Sequence, residues 1–367
     1  MSDCFVLYLL LTCMKKKTSG ADKFTNNTIT KEECLMKFLL ICDFREGLKN
    51  YASFTETNLY NDHPSTKNIC EIIDSIKSLG YECEYFGGIP ELIHAIENKQ
   101  QFNDCIFLNF TDGMDEKYSR VQAPALLDIL NVPYSGSGVF ASVLMNNKHF
   151  CKQALVNSSI PMPKSCIVNS ILPLNENYIK DWVFPLFVKP NCEGSSLGID
   201  SQSVCHTMKE VKNICQKLVS EFGEAIIEEY APGIDVTNYL IGNKDTYIVN
   251  EVICAELFDT SPYAVYGIAE KQQKLRKLFL NDEYLPHNIV DSIKKESIHI
   301  AKIIGANDIC RIDYRVNLST NEIQFIEINS APRFSSTSEI GFIAAKHELP
   351  FSAMVGYYIE TVLNRLA

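Results

Sequence analysis

Residues 308–341 read DICRIDYRVNLSTNEIQFIEINSAPRFSSTSEIG, and the fold turns on how this stretch is read. Apolar and β-branched residues flank a polar turn, Asn317 to Asn321, which predicts two strands joined as a hairpin. Side chains alternate along a strand, so Arg311 and Asp313 share one face of the first strand, and Glu327 and Asn329 share one face of the second. A hairpin closed near Ser319–Thr320 sets Asp313 roughly opposite Phe325 to Glu327. The two carboxylates and the Asn329 amide oxygen then converge. Oxygen donors of this kind suit Mg²⁺, a hard ion that takes carboxylates together with substrate phosphates. Carboxylates set side by side among Ile and Phe repel each other and are desolvated, so they need a cation. A hairpin whose charges simply sit at its solvated end fits the same pattern, and this stretch alone does not separate the two.

The chain around the hairpin is long enough, at 367 residues, for two or three packed domains. Its 46% apolar and 22% charged content is ordinary for a globular protein. A net charge of −11 argues against a protein that covers nucleic acid, which needs a basic surface, but not against a local basic pocket for a small anion. Fourteen cysteines without a C-x-x-C pair fit reduced thiols in the cytoplasm better than a disulfide framework or a zinc site.

Residues 4–14, CFVLYLLLTCM, form an apolar run too short to span a bilayer. Lys15–Lys17 lie on the wrong side of it for a secretory signal, and no A-x-A site follows. Residues 1–36 therefore read as an extension rather than a targeting or membrane segment, with Met36 a candidate alternative start. A buried strand, Lys37 to Cys42, opens the globular part. A helix near Ser65–Leu79, a strand at Tyr81–Phe86, a short helix from Pro90 and a strand at Asp104–Phe110 follow. This β-α-β-α-β order implies a parallel sheet with helices on its faces, over residues 37–147. A helix over Val121–Leu130 and a turn, NVPYSGSG (Asn131–Gly138), lead into another helix. No G-x-G-x-x-G follows the first strand, so a dinucleotide fold gains no support.

From Lys148 the pattern becomes α+β. Strand-like segments at Val183–Val188, Glu224–Tyr230, Val236–Ile241 and Thr246–Cys254 surround one clear helix, Met208–Phe222. Helices over Pro286–Ile304 and Phe351–Leu366 flank the hairpin. Two further stretches carry chemistry. PLFVKPNCEGSSLGID, Pro185 to Asp200, delivers Lys189 and then a loop rich in backbone donors. Glycines let the main chain approach a phosphate, the amides and hydroxyls donate to it, and the lysine adds a point charge. IIEEYAPGIDVT, Ile226 to Thr237, reads as strand, Pro232-Gly233 turn, strand, with Glu228 and Asp235 at the ends of a hinge. A structural Gly-Ser loop and a plain hairpin with solvated acids fit these two stretches as well.

Taken in order, VPYSGSGVFASVLMNNK, FPLFVKPNCEGSSLGI, IIEEYAPGIDVT, CRIDYR and IEINSAPRFSSTS resemble the D-alanine–D-alanine ligase-like branch of the ATP-grasp superfamily. The resemblance runs from about Tyr81 to the C-terminus. It implies an N-terminal α/β parallel-sheet domain, then central (148–228) and C-terminal (229–367) antiparallel α+β domains that sandwich ATP. Lys148 and Lys189 match phosphate-binding lysines, and Ser195 and Ser196 the loop that folds over the phosphates. Glu228, with Glu229 beside it, matches the hinge acid near adenine, and Asp235 stands where a ribose-binding acid is usual. Asp313, Glu327 and Asn329 match magnesium ligands. Arg311 matches an arginine that stabilises charge at the reacting carbonyl. Lys271 matches a mobile-loop lysine, and Ser338 a serine near the second substrate.

The implied activity is ATP- and Mg²⁺-dependent ligation of a carboxylate to an amine, through an acyl phosphate, on small amino-acid or peptide substrates. A homodimer is common in the resembled family. The chain also departs from it. The Gly-Gly-x-Ser-x-Glu motif, whose acid holds the first D-alanine's ammonium group, is missing after the first strand. Pro332-Arg333 replaces the usual Pro-Gly, and Asn147 replaces the Asp before the first lysine. These departures favour a substrate pair other than two D-alanines, with Arg333 holding an anionic group, against an Arg333 turned to solvent or paired with Glu339. A degenerate nucleotide-binding module is the rival from another class.

Overall fold

In the computed structural model of the chain, the described residues are 36–47, 63–114, 118–194, 196–259, 261, 263–265, 267, 273 and 276–367. Ser195, Lys271 and residues 1–35 of the N-terminal extension lie outside them.

Three sheets organise the chain. In the first, β1 (Lys37–Ile41) is the middle strand, parallel to β2 (Glu82–Gly87) on one side and β3 (Cys105–Asn109) on the other. The crossovers are α1 (Thr66–Ser78) and α2 (Ile89–Glu97), as the β-α-β-α-β order requires. α1 starts one residue after Ser65, whose side chain accepts from the Asn68 amide, and it ends before Gly80 at φ 90°. Next come α3 (Gln122–Leu130), α4 (Val139–Asn146) and α5 (Lys148–Leu155). The last of these is absent from the sequence reading, because KHFCKQAL is short and weakly apolar.

The second sheet is antiparallel and four-stranded, in the order β4-β7-β5-β6. Its strands are β4 (Ser165–Asn169), β5 (Leu186–Pro190), β6 (Val204–Cys205) and β7 (Glu224–Glu229), with a short α6 (Glu176–Ile179) after β4. The long helix α7 (Met208–Phe222) packs on this sheet. Thr207 and Glu210 cap it reciprocally, and Gly223 ends it in the left-handed conformation.

The third sheet, also antiparallel, has the order β10-β9-β8-β11-β12. β8 (Ile234–Asn243), β9 (Thr246–Leu257) and β10 (Arg276–Leu280) lead to α8 (His287–Ile304) and then to the hairpin of β11 (Ile309–Asn317) and β12 (Glu322–Asn329). α9 (Glu339–Lys346) and α10 (Phe351–Leu366) close the chain. One core, with Phe38, Leu40, Ile72, Tyr239, Ile253 and Tyr358, joins the first sheet and α1 to the third sheet and α10. A second lies between the third sheet's other face and α4, α5 and α8.

The start of β11 is pinned. Asp308 is wholly buried at φ 66° and accepts from Arg365 Nε (2.8 Å), Asn243 Nδ2 (2.9 Å) and the Gly136 amide (2.7 Å). One carboxylate thereby ties the NVPYSGSG turn, the third sheet and the last helix together.

Candidate active site

Along β11, residues 310, 312, 314 and 316 are buried, while Arg311, Asp313 and Arg315 alternate with them on the cleft face. In the hairpin Asp313 pairs with Glu327 and Arg311 with Asn329, and a register shift follows Asp313. The four side chains of the sequence analysis therefore do meet. Arg311 forks onto Asp313, with Nε to Oδ1 at 3.0 Å and Nη2 to Oδ2 at 2.8 Å. Thr237 Oγ1 (2.8 Å) and Asn329 Nδ2 (3.1 Å) also donate to the Asp313 carboxylate. Lys148 Nζ lies 3.3 Å from Glu327 Oε2. Burial alone would raise the Glu327 pKa, but Lys148, Lys189 and Arg311 outweigh it and hold the acid at about 2. Glu327 is thus an ionised acceptor, Asp313 accepts from Arg311, Thr237 and Asn329, and the Asn329 Nδ2 donation leaves its amide oxygen to face a cation. Two carboxylates and an amide oxygen on adjacent strands form a hard donor set that fits Mg²⁺. Among the described residues no three His, Cys, Asp or Glu side chains form a metal-binding group.

A cleft opens between the second and third sheets, lined by Lys148, Lys189, Ser196, Glu229, Asp235 and Glu327, among others. Ser196 sits at φ 63° in the loop after β5, beside the position of Ser195. Asp235 is held by Arg315 Nη1 at 2.7 Å. Glu229 takes Lys164 Nζ at 3.1 Å and the Val183 amide at 3.1 Å. Glu228 borders the cleft too, at the hinge, and its carboxylate is already paired. Its Oε1 is bound by Lys152 and its Oε2 by Lys189 at 2.9 Å, and all three side chains are nearly inaccessible. Glu228 is thus a counter-ion for two lysines, which come from α5 and β5, elements remote from it in sequence.

A second cavity adjoins the first and shares Arg311 and Gly194 with it. It lies between the first sheet's loops and the turn after β12, lined by Asn68, Asp112, Arg120, Asn329, Arg333 and Phe334, among others. Arg333 is exposed into it. Arg333 forms no ion pair with Glu339, whose partner is Arg276. Ser338 does not line the cavity, and its hydroxyl lies within hydrogen-bond reach of the carbonyls of Arg333 (2.8 Å) and Ser335 (2.9 Å). It braces the turn that carries Arg333.

Several functional neighbours escaped the sequence reading. Lys152 stands four residues after Lys148, one turn along the same helical face, a spacing that could have flagged it. Arg315 continues the Arg311–Asp313 alternation. Its guanidinium donates to the Ala231 carbonyl (3.1 Å), to Asp235, to the Gly233 carbonyl and to the Tyr230 hydroxyl, which locks the hinge turn. Arg276 and the Asp112–Arg120 pair (2.7 Å) carried no local signal.

Comparison with known proteins now decides the family. Residues 163–360, more than half the chain, match the family described as D-ala D-ala ligase C-terminus. The chain belongs to this family. Among curated relatives, a D-alanine–D-alanine ligase of Bartonella henselae is 25% identical over 267 residues, covering 73% of this chain and 83% of the relative. The ligase of Petrotoga mobilis is 24% identical, with 83% and 93% covered. Of solved structures, the D-alanine–D-alanine ligase of Bacillus anthracis complexed with ATP superposes with a TM-score of 0.67 at 18% identity, covering 90% of this chain and 98% of that one. The VanG D-Ala:D-Ser ligase of Enterococcus faecalis gives a TM-score of 0.68 at 18% identity, with 89% and 99% covered. At these identities the structures establish the fold, which is ATP-grasp, with a parallel N-terminal sheet and antiparallel sheets after it.

Proposed function

We propose that this ligase-family protein joins a carboxylate to an amine where its two cavities meet, and that its substrate pair is not two D-alanines. Family membership gives the reaction class: an ATP-dependent, ADP-forming ligase of C–N bonds. The observation that carries the reading is that Arg311 borders both cavities, so one guanidinium reaches a phosphate-binding cleft and a substrate chamber.

In the proposed reaction a carboxylate oxygen of the first substrate attacks the γ-phosphorus, and ADP departs. The amine of the second substrate then attacks the acyl carbon, and phosphate leaves with the bonding electrons as the amine loses a proton. Lys148 and Lys189 offset the phosphate charge, and the work is mainly positioning and charge neutralisation. Arg311 donates to the oxyanion of the tetrahedral intermediate. Asp313, Glu327 and Asn329 are proposed to hold Mg²⁺, which when bound supplies further neutralisation of the phosphates. Ser195 and Ser196, with the segment around Lys271, are proposed to cover the site and keep water from the acyl phosphate. The domain limits 37–147, 148–228 and 229–367 belong to the same proposal.

Charge in the substrate chamber supports the choice of substrate. Among the described lining residues Asp112 is the one carboxylate, and Arg120 holds it. Arg311 is paired with Asp313, whereas Arg333 has no ion-pair partner among the described residues. Among the described residues the chamber therefore keeps one guanidinium without an ion pair, whose planar fork suits a carboxylate or phosphate. A second substrate with an additional anionic group fits it. Incubation with D-alanine, Mg²⁺ and ATP should give little dipeptide. Arg333→Gly should raise KM for the true acceptor while kcat changes little. Rapid D-Ala–D-Ala formation at ordinary concentrations would refute the substrate assignment. A homodimer and a cytoplasmic location complete the proposal, resting on the family and on the cysteine-rich composition. No helix among the described residues is long and apolar enough to cross a membrane.

A further inference from the structure

Three buried charges meet at the edge of the nucleotide cleft, Lys152, Glu228 and Lys189, exposed by 2%, 2% and 3%; Lys189 and Glu228 line the cleft, and Lys152, which does not, has no part in the reaction described above. Each oxygen of Glu228 has its own lysine, Oε1 bound by Lys152 and Oε2 by Lys189 at 2.9 Å. Lys189 is also attracted by Glu327 and Asp313 on the cleft side, whereas Lys152 reaches Glu228 from α5 and does not line the cleft. The same helix carries Lys148, one turn earlier, whose ammonium lies against Glu327 of the third sheet. α5 thus bridges both sheets of the cleft with two lysines, one to an acid of each.

A buried carboxylate needs a cation, and removing one partner of such a pair leaves a charge stranded. If Lys189 were the sole partner of Glu228, giving its ammonium to a phosphate would strand that carboxylate. Lys152 removes this conflict, because Glu228 keeps one cation when the other turns to the ligand. We infer that Lys152 is a positioning residue for ATP binding: it holds Glu228 from behind and thereby releases Lys189 to the phosphates. Lys152 itself touches no ATP. The inference concerns nucleotide binding alone, so it stands or falls separately from the substrate assignment.

The test is calorimetric titration of the full chain with ATP and Mg²⁺, with thermal unfolding recorded for each variant. Lys152→Met leaves Glu228 dependent on Lys189, and the Kd for ATP should rise at least tenfold. Lys152→Arg keeps the charge and should bind within about threefold of the wild type. The double variant Lys152→Met with Glu228→Gln removes the claim on Lys189 and should bind ATP at least tenfold more tightly than Lys152→Met alone. A purely structural role predicts a different pattern, with lowered unfolding temperatures and unchanged ATP affinity in the folded protein. That pattern, or a failure of Glu228→Gln to rescue, overturns the inference. Should Lys152→Met not fold, the double variant decides, since it removes one charge of each sign. Folded, it should bind ATP within tenfold of the wild type, and weaker binding overturns the inference equally.

Discussion

Glu327 shows how much one side chain depends on its surroundings. It is an acid placed opposite another acid, and three cations keep it ionised. Glu327→Gln removes one charge from a site suited to a divalent ion, so ADP formation should be abolished while unfolding stays cooperative. An ADP-release assay with urea denaturation checks both, and full activity contradicts the metal assignment. Lys189→Ala removes a charge-assisted phosphate contact and should weaken ATP binding by about 1.5–3 kcal/mol. Unchanged affinity by calorimetry places Lys189 outside the phosphate site. Glu339 gives a prediction in pH. Burial would raise its pKa, but Arg311 and Arg276 outweigh that and hold it at about 2, below an unfolded value of about 4.3. Its contribution to stability is complete above that unfolded value and is lost as pH falls toward 2. Glu339→Gln should therefore be less stable than the wild type at pH 7, and the gap should narrow by pH 3. A gap that stays constant in urea titrations at the two pH values argues against the ion pair.

At the scale of elements, what was legible in the sequence was what repeats locally. Alternation along β11 and β12 gave the shared face of Arg311 and Asp313, and the register to within a residue or two. α7, with its cap residues at both ends, matches its expected limits residue for residue. α5 was missed, and Lys152 with it, because eight residues offer too little periodicity and the partner of Lys152 is 76 residues away. The two lysines on Glu228 were hidden for the same reason: a strand's sequence does not reveal which cations another element will set against it. The hinge turn is a further case. Arg315 locks it, and Gly233 at φ 121° passes so close to β11 that a Cβ would collide with the Val316 carbonyl. Gly233→Ala should cost about 1–3 kcal/mol of stability through this backbone strain, and should weaken ATP binding as the hinge moves off Asp235. Calorimetry and chemical denaturation of the variant measure the two effects, and a neutral substitution would mean that the turn does not shape the cleft.

For the whole molecule, the second and third sheets face each other across a charged cleft, and the Asp308 cluster ties the start of the hairpin to the NVPYSGSG turn and α10. The parallel first sheet was predictable from the order of elements. Its place as one wall of the proposed substrate chamber was not, because Asp112, Arg120 and Arg333 come from distant parts of the chain. The claim that joins these parts is that Arg311 serves two cavities, so that phosphoryl transfer and amide formation happen side by side. The most direct measurement is ADP release by the full chain with ATP and Mg²⁺ across a panel of amino acids and dipeptides, with amide product quantified by mass spectrometry. ADP and amide should form in equal amounts, with an acceptor that carries an additional carboxylate or phosphate, and D-alanine alone should give little of either. ADP release without amide from any pair, or no ADP with any of them, would contradict the account.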